Sequence, residues 1–149
     1  MATSEPIQAG GIMIQFLVEA DDSNGTVSVF RATLPIGARQ PAPHSHDAFE
    51  ETNVGVRGVV TFTVDGTPIE LGPGDVLCVP RGAVHGFANN GPDEAEIVSA
   101  STPALFSPDY FREMAAVLDA AGDGPPDRAA MMDVMKRHGL TPAIPARHA

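Results

Sequence analysis

The sequence predicts a mainly β fold, a closed antiparallel barrel or sandwich, followed by two α-helices. From Ile12 to Thr102, short alternating apolar runs are separated by Gly, Pro, Asn and Asp clusters at regular spacing. Between two such runs lies Asp65-Gly66, the dipeptide that favours a two-residue type I′ hairpin turn. After Pro103 the apolar period changes from two residues to the helical spacing.

The elements follow in order. Met1 to Gly11 is a polar leader without periodicity, expected to lie on the surface or to serve as a strand in an oligomer. Ile12, Ile14, Phe16 and Val18 share one strand face, Asp21 to Gly25 supply turn chemistry, and Thr26 to Leu34 resumes alternation, which predicts a hairpin. Pro35, Gly37, Pro41 and Pro43 make a stiff loop that delivers His44 and His46. From Glu51 to Arg57, alternation puts Glu51, Asn53 and Gly55 on one side and Thr52, Val54 and Val56 on the other. Val60 to Val64 and Thr67 to Leu71 flank the Asp65-Gly66 turn. Gly72 to Asp75 turn into Val76 to Val79, and Pro80 to Gly82 set His85, Phe87 and Asn89 to alternate inward. A last strand runs roughly from Glu94 to Thr102.

The expected division is a barrel over residues 1–105 and a helical appendage over 106–149, not independent of it. Ser107 and Pro108 start one helix, with Phe111, Met114, Ala115 and Leu118 on its buried face. A second runs from about Asp127 to His138, buries Ala130, Met131, Val134 and Met135, and stops at Gly139. The tail from Thr141 is expected to be loose.

Nineteen acidic against nine basic side chains leave a net charge of −10, which repels phosphate backbones and anionic membrane surfaces and argues against nucleic-acid partners. No apolar run is long enough to span a bilayer and no cleavable leader is visible, so a cytoplasmic protein without membrane association is expected. The single cysteine, Cys78, lies in the apolar run VLCVP and is expected to be buried. Lys136 is the only lysine and Tyr110 the only tyrosine, which leaves the barrel without an amine for a Schiff base or a phenol for proton transfer. Neither a phosphate-binding glycine loop nor a nucleophilic serine elbow is present.

The chemistry concentrates between Gly37 and Asn89. On an extended strand His44 and His46, at i and i+2, send both imidazoles to one side. Glu51 follows five residues later and His85 arrives on a later strand, giving three nitrogens and one carboxylate oxygen, a set suited to a first-row transition ion. Glu50 is the alternative carboxylate; the strand phase relative to Gly58 favours Glu51. His138 and His148 are read as ordinary surface residues, and the helical methionines as core.

These residues resemble the two motifs of the cupin superfamily. His44, His46, Glu51 and Gly58 stand at the first motif's spacing, with Gly37 one residue too far upstream; Gly74, Pro80, Gly82, His85 and Asn89 match the second. The resemblance implies a small single-domain cupin, a double-stranded β-helix or jelly-roll barrel. It implies one divalent metal (iron, manganese, nickel, cobalt, zinc or copper) on His44, His46, Glu51 and His85. It also implies a homodimer, and Asn89 as a structural residue. Compared with many cupins, Asn53 and Gly55 replace bulkier inward residues, so a roomier substrate pocket is expected, lined by Asn53, Gly55 and Phe87. Similar proteins include quercetinase-like dioxygenases, and the leading expectation is an oxygenase acting on a small enolisable or phenolic molecule, with Glu51 as base. A redox-neutral lyase, isomerase or cyclase, and a non-catalytic binding or sensing cupin, remain the alternatives.

Overall fold

A computed structural model of the chain describes residues 3–40 and 42–143. In chain order its strands are β1 (Ile7–Ala9), β2 (Ile12–Val18), β3 (Ser28–Leu34), β4 (His44–His46), β5 (Glu50–Arg57), β6 (Val60–Val64), β7 (Thr67–Leu71), β8 (Val76–Val79), β9 (His85–Ala88) and β10 (Ala95–Thr102). Helices α1 (Pro108–Ala120) and α2 (Arg128–Arg137) follow, and then a short strand, β11 (Leu140–Pro142). Two antiparallel sheets result, with strand orders β1-β2-β3-β10-β5-β8 and β11-β4-β9-β6-β7. This is the double-stranded β-helix that the sequence suggested.

Alternation decides which side chains enter the barrel. On β3 the even residues Ser28, Phe30, Ala32 and Leu34 are buried, and on β10 the odd residues Ala95, Ile97, Ser99 and Ser101. Asp65 and Gly66 both take positive φ, 47° and 82°, the conformation of the expected type I′ turn between β6 and β7. Asn89 also behaves as expected: its amide donates to the carbonyls of Leu34 (3.0 Å) and Asp93 (2.8 Å), and its Oδ1 accepts from Gly91 N.

The helices close one side of the barrel. Asp127 caps α2 by accepting from Ala130 N at 3.1 Å, and Gly139 ends it with φ 78°. Pro108 begins α1, but the side chain of Ser107 makes no capping bond. An aromatic cluster joins α1 to the sheet, with ring centroids 5.0 Å apart for Phe106 and Phe111, 5.2 Å for Phe30 and Phe111, and 5.8 Å for Phe16 and Phe111. Tyr110, Met114, Met131, Val134 and Met135 belong to the same buried core as Phe16, Phe62 and Ile97.

Four expectations are corrected. Residues 7–9 pair with β2 in the same chain, because Gly10 and Gly11 turn tightly at positive φ and let Ile7 and Ala9 bury. The tail forms β11, pairing Leu140 with His46 and Pro142 with His44; His148 and residues beyond 143 lie outside the described residues. Cys78 is exposed: Val79 takes the inward position on the edge strand β8, and its neighbour points out with Val76. Gly55 does not open a pocket. A Cβ there would lie 2.0 Å from Gly72 O, and its backbone exchanges 2.9 Å hydrogen bonds with Asp75 O and Gly74 N.

Gly55 is therefore a close-approach glycine between β5 and the turn that leads into β8. Gly55→Ala is expected to destabilise the fold by about 3 kcal/mol, because the methyl meets backbone that cannot rotate away. Thermal or urea unfolding measures this; an unchanged midpoint would refute the close approach.

Candidate metal centre and its cavity

β4 is short, and its two histidines face the barrel from neighbouring turns of the pleat; His44 pairs with His85 across the β4–β9 seam. That is the whole of the β4–β9 ladder, so β11 supplies most of the hydrogen bonding that fixes β4. The three imidazoles are buried and each offers a nitrogen within 4.8 Å of the other two. Their rings are held from behind. Backbone carbonyls two residues upstream accept from Nδ1 in two cases, Ala42 O for His44 (3.2 Å) and Ala83 O for His85 (3.0 Å). With Nδ1 protonated, the Nε2 of both rings is left bare and aimed inward, the second-shell arrangement that prepares a histidine to bind a metal. His46 is set by stacking on Phe49, with centroids 4.2 Å apart and planes 16° from parallel.

The donor set fits a divalent ion. Nε2 of His44 and Nε2 of His46 lie 3.2 Å apart, and the buried Nε2 of His85 and Nδ1 of His46 lack hydrogen-bond partners among the described residues. Lone pairs converging in a dry interior are costly unless a cation or proton lies between them. Glu51 stands beside the cluster, with Oε2 3.4 Å from His85 Nε2. The strand phase holds: Glu51 is buried, whereas Glu50 points outward and pairs with Arg81 at 2.6 Å.

Electrostatics separate the three rings. Burial, aided by the charge of His85, lowers the pKa of His44 to about 3, the carbonyl of Ala42 opposing it. Burial and the two neighbouring imidazoles lower His46 to about 2. For His85 burial also favours the neutral ring, but the carboxylate of Glu51, 3.4 Å from its Nε2, outweighs it and raises the pKa. A proton on His85 and a metal ion therefore compete for the same pair, His85 and Glu51.

A cavity of about 50 Å3 adjoins the cluster. His44, Glu51, Gln40 and Tyr110 give it polar edges, and Ala9, Ile12, Ile14, Phe30, Phe87, Phe106, Phe111 and Met114 make up the rest. Of the expected pocket residues Phe87 lies on it. Asn53 and Gly55 do not: Asn53 is buried farther along β5, accepting from Ser99 Oγ, and Gly55 is filled by the Gly72 backbone.

Two residues of the site were not identified from the sequence. Gln40 lies in the proline-rich loop, where its Nε2 lies 3.4 Å from Nε2 of His44, the ring nitrogen left to accept; the loop is fixed by Gln40 N donating to Phe87 O at 2.9 Å. Tyr110 comes from α1, so the barrel does have a phenol at its mouth. Its position at i−4 to Met114 on a helix with an apolar face was the available signal.

In metal-free protein His44 and His46 bind fewer protons folded than unfolded between about pH 3 and the ordinary value of 6.5. Their contribution to stability is complete above 6.5 and is lost as pH falls, by about 1.4 kcal/mol per histidine per pH unit. The contribution of His85 has the opposite sign: complete below 6.5 and lost as pH rises through its folded value. Chelator-treated protein should thus lose thermal stability steeply from pH 6 to pH 4, and His46→Phe should flatten that slope. A midpoint independent of pH across that range would contradict the neutral, buried pair.

Comparisons with known proteins agree with this geometry. Residues 30–101 match the family described as "Cupin domain". Quercetin 2,3-dioxygenase of Bacillus subtilis is 35% identical over 93 residues, 62% of this chain but only 27% of that protein's length. The solved structure of KdgF from Halomonas sp. superposes with a TM-score of 0.58 at 19% identity, covering 69% of this chain and 86% of the other. The polyketide cyclase RemF from Streptomyces resistomycificus gives 0.56 at 19% identity, covering 66% and 70%. At these identities the structural likeness speaks for the fold. Two facing antiparallel sheets, a buried histidine cluster at the motif positions and the matched segment together show a small cupin-type domain in this chain.

Proposed function

We propose that this protein is a metal-dependent oxygenase acting on a small, uncharged enolisable or phenolic molecule in the cytoplasm. One observation carries the reading: His44, from a cluster of three buried imidazoles, and the carboxylate of Glu51 line an apolar, aromatic-walled cavity with no lysine or arginine on its lining. No cationic side chain lies on the wall, so the ion alone would supply positive charge there. The 35% identity to a quercetin dioxygenase over the barrel supports the same class.

His44, His46 and His85 would hold the ion, with Glu51 at its side. Once bound, the ion would polarise the substrate oxygen and, if redox-active, make dioxygen reactive. Glu51 accepts the proton of the substrate's hydroxyl or enol, which places negative charge on the carbon that dioxygen then attacks. The aromatic walls of Phe87, Phe106 and Phe111 keep water from the deprotonated substrate. An aromatic ring needs a cavity of about 150 Å3, more than the roughly 50 Å3 seen here, so a ligand of that size has to displace part of the wall.

Oxygen consumption tests the reading. With iron or nickel restored, a flavonol or β-diketone panel should draw down dissolved oxygen, and Glu51→Gln should reduce the rate at least 100-fold without removing the metal. Turnover that continues unchanged under strict anaerobiosis would transfer the site to redox-neutral chemistry.

We further propose a homodimer, supported by the apolar outer surface of β5 and the edge strand β8, where Val54, Val56 and Val76 are exposed. Light scattering at micromolar concentration should return twice the chain mass of 15.5 kDa. A monomer mass would contradict it.

A further inference from the structure

Helix α1 does more than cover the barrel. Tyr110 sits in its first turn, 5% exposed, on the wall of the cavity that His44 and Glu51 also line. Its ring is fixed on three sides: centroids lie 5.0 Å from Phe106, 5.0 Å from Phe111 and 5.6 Å from His138. Its hydroxyl takes part in none of the hydrogen bonds among the described residues, and it is not one of the buried polar atoms left without a partner, so it is open to the cavity or to solvent. The rest of the lining is apolar except for Gln40, whose Nε2 lies against His44. A phenol held at the edge of an apolar cavity, with its hydroxyl accessible, is placed to exchange a water for an oxygen of a ligand.

We propose that Tyr110 is a binding residue of the site, donating a hydrogen bond to an oxygen of an uncharged ligand held between α1 and the histidine cluster. Burial, and then the negative charge of Glu51, raise the phenol's pKa, so it remains a neutral donor throughout the physiological range. A neutral donor opposite Glu51 suits a molecule bearing a hydroxyl or carbonyl on an apolar body. The inference shares its ligand class with the oxygenase reading but not the reaction.

The test uses zinc-loaded protein, in which no oxygen chemistry occurs, and a matched pair of probes, phenol and toluene, of nearly equal size. Affinities are measured by calorimetry for wild type and Tyr110→Phe, together with zinc content and thermal midpoint. Since the chain has one tyrosine and no tryptophan, the near-ultraviolet tyrosine signal of the wild type reports Tyr110 alone. Phenol should perturb that signal. Tyr110→Phe should weaken phenol roughly three- to tenfold, the range of one neutral hydrogen bond, and leave toluene, zinc content and the midpoint unchanged.

Equal weakening of both probes would show a packing role and overturn the proposal. So would unchanged phenol affinity, or wild-type protein that binds neither probe. Loss of phenol discrimination without any oxygen consumption by the iron or nickel form would remove the oxygenase reading and leave the role of Tyr110 standing.

Discussion

The structure depends on keeping three imidazoles and a carboxylate together in a place with almost no water. Charging His44 or His46 there is strongly disfavoured, so both rings must stay neutral and their lone pairs must be directed rather than solvated. Much of the surrounding architecture answers that constraint. The carbonyls of Ala42 and Ala83 fix two tautomers, Phe49 fixes the third ring, and β11 completes the ladder of a three-residue strand that would otherwise be anchored at one residue. A metal ion is the economical resolution of such a cluster, since it satisfies converging nitrogens without protonating them.

The histidine cluster and most of the cavity wall come from different parts of the chain, and this explains why the match to the cupin domain leaves the substrate open. His44, Glu51 and His85 fall within the segment matched over residues 30–101. Most of the cavity wall does not: Ala9, Ile12 and Ile14 come from the N-terminal hairpin, and Phe106, Tyr110, Phe111 and Met114 from α1 and the turn before it. A common barrel can hold a common ion, while the flanking elements decide what fits above it.

The small cavity has a related cause. The aromatic cluster of Phe16, Phe30, Phe106 and Phe111 holds α1 on the sheet, and burying each ring stabilises that packing by about 2 kcal/mol. A ligand of aromatic size must replace those contacts with its own.

By itself the sequence determined the parts that depend on local periodicity and spacing. The i, i+2 histidines on an extended strand, the phase that turns Glu51 inward and Glu50 outward, the Asp65-Gly66 turn and both helices follow from neighbouring residues, because pleat, turn and helix are local geometries. Tertiary structure decided what depends on distant segments. Gly55 reads as open space in a strand, yet the Gly72 backbone fills it; Cys78 reads as core, yet β8 lies at a sheet edge; residues 7–9 and 140–142 lack any strand pattern, yet each finds a ladder to join. Tyr110 shows the same limit most sharply. Its helix was legible, but which surface that helix covers depends on a docking between residues far apart in the chain, and that docking alone brings a phenol to the metal ligands.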